Sequence, residues 1–143
     1  MESNGKTIIT VQVSVNAPLE LVWKCWTNPE DIVKWNNASD DWHTTRAEND
    51  LRVGGKFNSR MEAKDGSFGF DFEGIYTALK QNELIEYVLP DDRKVSITFT
   101  DLDFQTQVTE SFDPENVYPQ EYQKAGWQSI LNNFKKYVEE KSK

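Results

Sequence analysis

Few side chains in this sequence can do chemistry near neutral pH. His43 is the only histidine and Cys25 the only cysteine among 143 residues. A histidine following Asp40 and Asp41 suggests a proton shuttle, since imidazole is the side chain that exchanges protons near neutral pH. In strict alternation along WHTTRAEN, however, His43 falls on the face opposite Trp42, so a rim or sheet-surface position is expected. Cys25 needs a base or positive surroundings to become a nucleophile. The histidine lies 18 residues away in a different element, and a buried, inert thiol is expected. A single cysteine excludes an intramolecular disulfide and a thiol-based metal site. One histidine with scattered carboxylates has no ligand spacing, so neither metal nor cofactor is expected.

Four of the remaining polar candidates, Arg60, Glu62, Asp71 and Glu73, fall in one hairpin. Arg46, Arg60, Glu62, Asp71 and Glu73 sit on predicted strands. A desolvated carboxylate there would serve acid–base chemistry. Because Phe70 and Phe72 alternate with Asp71 and Glu73, the acids point away from the aromatic face, and cross-strand ion pairing is expected instead. No catalytic constellation emerges. What stands out is aromatic: Trp23, Trp26, Trp35 and Trp42 fall within 20 residues, and Phe68, Phe70 and Phe72 line one face of one strand. Three such rings exceed what a two-stranded ribbon can bury alone. The tryptophans either seal one end of a sheet or form a ligand mouth whose indole N–H groups orient a flat apolar molecule. Trp23 and Trp26 belong to a helical core stripe, whereas Trp35 and Trp42 lie nearer loops and are the better mouth candidates.

The elements that position these residues follow from two periodicities. ITVQVSV (9–15) alternates as a half-buried strand. From Asn16 the period changes: Leu19, Val22, Trp23 and Trp26 share a helical face, with Pro18 in the first turn and Asn16 or Ala17 at the cap. Asn28 caps a second short helix with Pro29 at its first position and Glu30 and Asp31 behind it. Strands are predicted over 42–49, 56–63 and 67–79, then in ELIEYVLP (83–90), KVSITFTDL (94–102) and FQTQVTESF (104–112). Asp65-Gly66 and Asp91-Asp92 mark tight turns, Gly54 and Gly55 suit positive φ, and Gly74 suggests a bulge or bend. Short connections after residue 42 make the sheet antiparallel. From about Pro119 to Lys141, Trp127, Ile130, Leu131, Phe134, Tyr137 and Val138 recur with helical period, and the sheet is the one large apolar surface they can cover. One domain spanning 1–143 is expected.

Composition narrows the partners. Sixteen basic residues against 24 acidic give a net charge of −8, which disfavours nucleic acid and anionic membrane. No window approaches 18 apolar residues and MESNGKTIITVQ lacks the layout of a signal peptide, so a cytoplasmic location is expected.

Four segments, "VNAPLELVWKCWTNPEDIVKW", "DLRVGGKF", "DGSFGFDFEGIY" and "GWQSILNNFKKYVE", in this order and spacing resemble the AHSA-type family, named for the C-terminal domain of a heat-shock ATPase activator, within the START-like (SRPBCC) superfamily. The resemblance implies an α+β helix-grip fold: a strand, two helices, six strands and a helix, with a curved antiparallel sheet wrapped around the long C-terminal helix. It also implies a cavity between sheet and helix, with Trp35, Trp42, Phe68, Phe70, Phe72, Trp127, Ile130 and Phe134 as its candidate lining. The chain leaves no room for the separate N-terminal domain of the co-chaperones, so their role is expected to transfer poorly; a single-domain protein, monomeric or weakly dimeric, is expected. Its expected role is non-catalytic binding of a small hydrophobic or amphipathic ligand. The alternatives are a chaperone-associated, stress-related protein-binding module and an enzyme of the cyclase or hydrolase type.

Overall fold

The computed structural model describes residues 8–142. Elements follow in the order β1 (Ile9–Val15), α1 (Leu19–Thr27), α2 (Pro29–Trp35), β2 (Trp42–Asn49), β3 (Lys56–Ala63), β4 (Gly69–Lys80), β5 (Leu84–Val88), β6 (Lys94–Asp101), β7 (Thr106–Phe112) and α3 (Gln120–Lys141). All seven strands join one curled antiparallel sheet ordered β1-β7-β6-β5-β4-β3-β2. Strands β2 to β7 form a meander because each is tied to the next by a short turn. The first strand instead pairs with the last, Ile9 opposite Phe112 and Val15 opposite Thr106. The helix-grip order expected from the sequence is the order observed.

The local rules hold in most places and fail informatively in three. Asn28 accepts from the Glu30 N–H at 3.4 Å and Pro29 opens α2, as expected. The cap position of α1 is Pro18 itself, extended and without a side-chain cap bond, rather than Asn16 or Ala17. Those two residues are engaged elsewhere: the Asn16 N–H donates to Glu139 Oε2 at 2.8 Å, and the Ala17 carbonyl accepts from Thr106 Oγ1 at 2.9 Å. Of the two adjacent glycines only Gly54 has positive φ, at 86°. Gly55 is needed for space, since a Cβ there would collide with the Asp50 carbonyl oxygen. Nor does the bulge fall at Gly74. Register shifts occur between Tyr76 and Ala78 and between Thr44 and Arg46, while Gly74 pairs regularly with Phe57. The Phe57 ring lies over the glycine, 2.8 Å from where a Cβ would stand.

α3 is 22 residues, about 33 Å long. Its apolar stripe buries Leu131, Phe134 and Val138 almost completely against β1 and the two short helices. Trp26, Trp35 and Phe134 meet with ring centroids 4.8–4.9 Å apart. Three polar contacts fix the helix further. Tyr137 donates to the buried Asp31 of α2 at 2.5 Å, and Lys135 Nζ donates to the Ser14 carbonyl of β1 at 2.8 Å. Gln128 likewise donates to the Gln12 carbonyl at 3.2 Å. Part of the polar face of α3 therefore covers the open edge of β1, satisfying groups that an edge strand otherwise presents for pairing. Among the described residues no helix is long and apolar enough to cross a membrane.

Two outcomes are expected on stability. Gly74→Ala forces a methyl group against the Phe57 ring and the Val88 carbonyl oxygen, 2.9 Å away, and should cost about 1–3 kcal/mol in urea unfolding. Tyr137→Phe strips a donor from the buried Asp31 carboxylate and should cost about 1–3 kcal/mol in the same assay.

Candidate functional site

The sheet curls past the region α3 can cover, and a cavity of about 570 Å³ is left between them. One wall is aromatic and belongs to the middle of the sheet. Phe57 packs edge-on to Tyr87 at 4.6 Å, and Phe72 reaches Tyr87 at 6.4 Å and Trp127 at 6.3 Å. Trp127 is held by stacking on Phe112, with centroids 3.8 Å apart and planes 11° from parallel. The helical wall comprises Trp26, Ile32, Trp35 and Ile130, while Ser59, Met61, Ile85 and Leu89 complete the sheet side. Alternation explains the sheet wall: Phe57, Ser59 and Met61 fall on the inner face of β3, opposite Gly74, Phe72 and Phe70 of β4. Gly74 matters here because its missing side chain lets the Phe57 ring lie flat on the sheet.

The predicted aromatic lining divides into three groups. Trp35, Phe70, Phe72, Trp127 and Ile130 border the cavity. Phe134 does not; it is fully buried behind the helical wall. Trp42 and Phe68 also lie apart from it, packing on each other at 6.0 Å and with Phe70 at the far end of the β3–β4 hairpin. Phe68 is 62% exposed and Phe70 41%, so the row of phenylalanines leaves the core as it runs outward. Of the two mouth candidates, Trp35 borders the cavity and Trp42 does not. Trp35 is buried, donating from Nε1 to the Cys25 carbonyl at 3.0 Å.

The polar candidates take surface and core positions. His43 is exposed on β2 opposite Glu62. Arg60 pairs with Glu62 at 3.0 Å and Asp71 at 3.5 Å, and Asn58 donates to Glu73 at 3.2 Å, across the outer face of the hairpin. Cys25 is fully buried, and burial, then the Asp31 charge, pushes its thiol up to about 11. Such a thiol carries negligible thiolate at neutral pH.

One ionisable side chain of the cavity is absent from the sequence-based candidates. Glu110 of β7 is 6% exposed, lines the cavity, and has no hydrogen-bond or ion-pair partner among the described residues. Loss of water pushes its carboxyl up to about 8. Its neighbours in the ladder are Val11 and Ile97. Tyr87 shares the cavity, and burial, reinforced by the Glu110 charge, holds its phenol well above the usual range. At the cavity border Arg93 is held by Asp91 at 2.8 Å and Glu115 at 3.8 Å. Tyr76 donates to Asn49 at 2.5 Å and is likewise shifted upward by burial. The signal for Glu110 was available: in TQVTESF, Thr106, Val108, Glu110 and Phe112 share a face, and the glutamate occupies an otherwise core position. Among the described residues no group of histidine, cysteine and carboxylate side chains is arranged to hold a metal.

A family model for "Activator of Hsp90 ATPase homolog 1-like protein" matches residues 16–139. The chain belongs to this family. Solved members and neighbours agree. An AHSA1-like protein from Aeromonas hydrophila is 43% identical over 94% of each chain, with a TM-score of 0.89. A protein from Cytophaga hutchinsonii is 53% identical over 93% of this chain and 92% of its own, with a TM-score of 0.80. A Chromobacterium violaceum protein at 25% identity covers 93% and 98% of the two chains at a TM-score of 0.83. No curated protein gives a significant match. The family match takes in α1, α2, all the meander strands and nearly all of α3, so the whole cavity wall lies within it.

Glu110 has a testable signature in stability. Its folded-state pKa lies above the unfolded value, so the folded protein holds the proton more tightly. The stabilisation this gives is complete below about pH 4.5 and is lost as pH rises through about 8. Glu110→Gln, uncharged throughout, lacks that loss. Between pH 5 and pH 9 the variant should gain on the order of 3 kcal/mol relative to the parent in urea unfolding. Parallel pH profiles for the two proteins would refute a desolvated Glu110.

Proposed function

We propose that this protein binds a small, flat hydrophobic or amphipathic molecule in the cavity between its sheet and α3, without transforming it. The observation that carries this reading is the cavity itself: about 570 Å³, walled by Trp26, Phe57, Phe72, Tyr87 and Trp127. Pockets for small ligands typically span about 300–1,000 Å³ and are mostly apolar with a few placed polar groups. Edge-on and tilted rings supply flat surfaces at fixed angles, suited to a planar guest. The strongest nucleophile candidate, Cys25, is buried outside the lining, and His43 lies on the outer surface. Recognition fits these surroundings better than covalent chemistry.

A second reading, a protein-binding module, draws on the family description and on the hairpin cluster of half-buried Trp42 with exposed Phe68 and Phe70. The two readings part on two variants. Phe68→Ser should weaken docking of a protein while leaving cavity binding intact. Ile130→Trp should fill the cavity while leaving the hairpin surface intact.

Titration with flavonoids, fatty acids and polycyclic aromatics, followed by tryptophan fluorescence and thermal melting, is the direct test. A ligand at about 100 times its Kd should stabilise the fold by about 2.7 kcal/mol and raise Tm by several degrees. Ile130→Trp should abolish that shift without lowering the helical and strand content of the protein. Failure of every ligand class to move either signal would overturn cavity binding.

A further inference from the structure

We propose that the cavity selects a cationic ligand, a protonated amine carried on an aromatic body, with the ammonium group seated on the Glu110 carboxylate. This rests on the ligand-binding reading above and adds the chemical class of the guest. Three observations carry it. Glu110 is the buried acid of the lining and lacks a partner among the described residues, so a donor entering the cavity meets an unused acceptor. The one basic residue among the described lining, Arg93, is already held between Asp91 and Glu115, leaving no free cation to compete for Glu110 or to receive an anionic guest. The remaining wall near the sheet is made of Phe57, Phe72, Tyr87 and Trp127, whose ring faces attract a cation as well as an apolar body. The net charge of −8 raises the local concentration of cations over anions.

The groups that face Glu110 define its titration. Val11 of β1 and Ile97 of β6 flank it in the sheet, and Trp127 and Ile130 face the cavity from α3; none of these titrates. Tyr87 from β5 stays protonated through the neutral range. Asp91, Arg93 and Glu115 stand at the border as one ion-paired group. Asp71 and Glu73 also border the cavity but are engaged on the outer face by Arg46, Arg60 and Asn58, while Glu48 stands exposed at its rim and Tyr76 is bonded to Asn49. With the carboxyl at about 8, Glu110 is mostly protonated at pH 7. An ammonium guest must displace that proton, because only the carboxylate offsets the cost of burying the cation. Binding therefore releases a proton and tightens as pH rises towards 8, while the amine itself remains charged.

Naphthalene-2-methanamine, naphthalene-2-methanol and naphthalene-2-carboxylate share one ring system and differ in the head group. Calorimetric titration at pH 6, 7 and 8 should rank them amine, alcohol, carboxylate. The expected preference for amine over alcohol is about tenfold at pH 8, and amine affinity should rise close to tenfold from pH 6 to 7. Glu110→Gln should bring amine and alcohol within about threefold and flatten the pH profile. A measurement on the unaltered protein guards against a misfolded variant: titrations in buffers of different ionisation enthalpy should show nearly one proton released per amine bound at pH 6.5, and none for the alcohol. If the alcohol binds and the amine binds no tighter, or without proton release, the inference falls and the cavity reading stands. If none of the three probes binds, both fall.

Discussion

A single helix about 10–12 Å across has to cover a sheet of seven strands, and six strand spacings span about 29 Å. That mismatch of widths shapes both the core and the cavity. Flat, such a sheet would leave more than half its inner face in water; curled, it brings its far strands back towards the helix. α3 makes its close contact at the β1 end, where it also meets α1 and α2. Towards β3 and β4 the helix reaches the sheet through Trp127, which meets Phe72, and the sheet lines the rest of that space with rings of its own. The cavity is the part of the inner face that one helix cannot fill.

Placing an acid in that remainder has opposite effects on folding and on recognition. Among close-packed aliphatics Glu110 would be excluded by its desolvation cost. Beside a cavity, the same group keeps its proton and remains folded, at the expense of stability in alkaline solution. The aromatic wall is similarly two-sided. Phe57 lies flat only because Gly74 gives it room, and Trp127 is oriented only because Phe112 lies parallel beneath it. The surfaces that would grip a guest are therefore set by residues outside the cavity as well as by those that line it.

Much of the architecture was legible because binary patterning carries strand and helix periods directly. The alternation from Ile9 to Val15, the Asn28-Pro29 start and the Leu131–Phe134–Val138 stripe each appear in the expected element. Longer-range geometry was not. Alternation puts Phe68, Phe70 and Phe72 on one face, but it cannot say where the footprint of the helix ends, and only Phe72 reaches Trp127. Trp35 stands next to a loop in sequence yet is buried, because a short helix turns its indole back onto the carbonyl of Cys25. Bulges at two strand pairs reset the inside–outside phase, and no residue type announces them. Glu110 differs: its phase along β7 is readable, but a lone carboxylate has no paired group in the sequence to mark it as chemistry.

The pairing of β1 with β7 also carries a cost in time. Ile9 meets Phe112, and Lys135 closes over Ser14, so the first strand has no partner until the last strand and the final helix exist. A ribosome adding about 5–20 residues per second needs on the order of 5–20 s to make the intervening hundred residues. Throughout that interval the Ile9–Val15 segment presents an unpaired edge and an apolar face, while the meander from β2 onward can already assemble from neighbouring strands. During synthesis the segment open to wrong association is thus Ile9–Val15, which waits longest for the strand it pairs with.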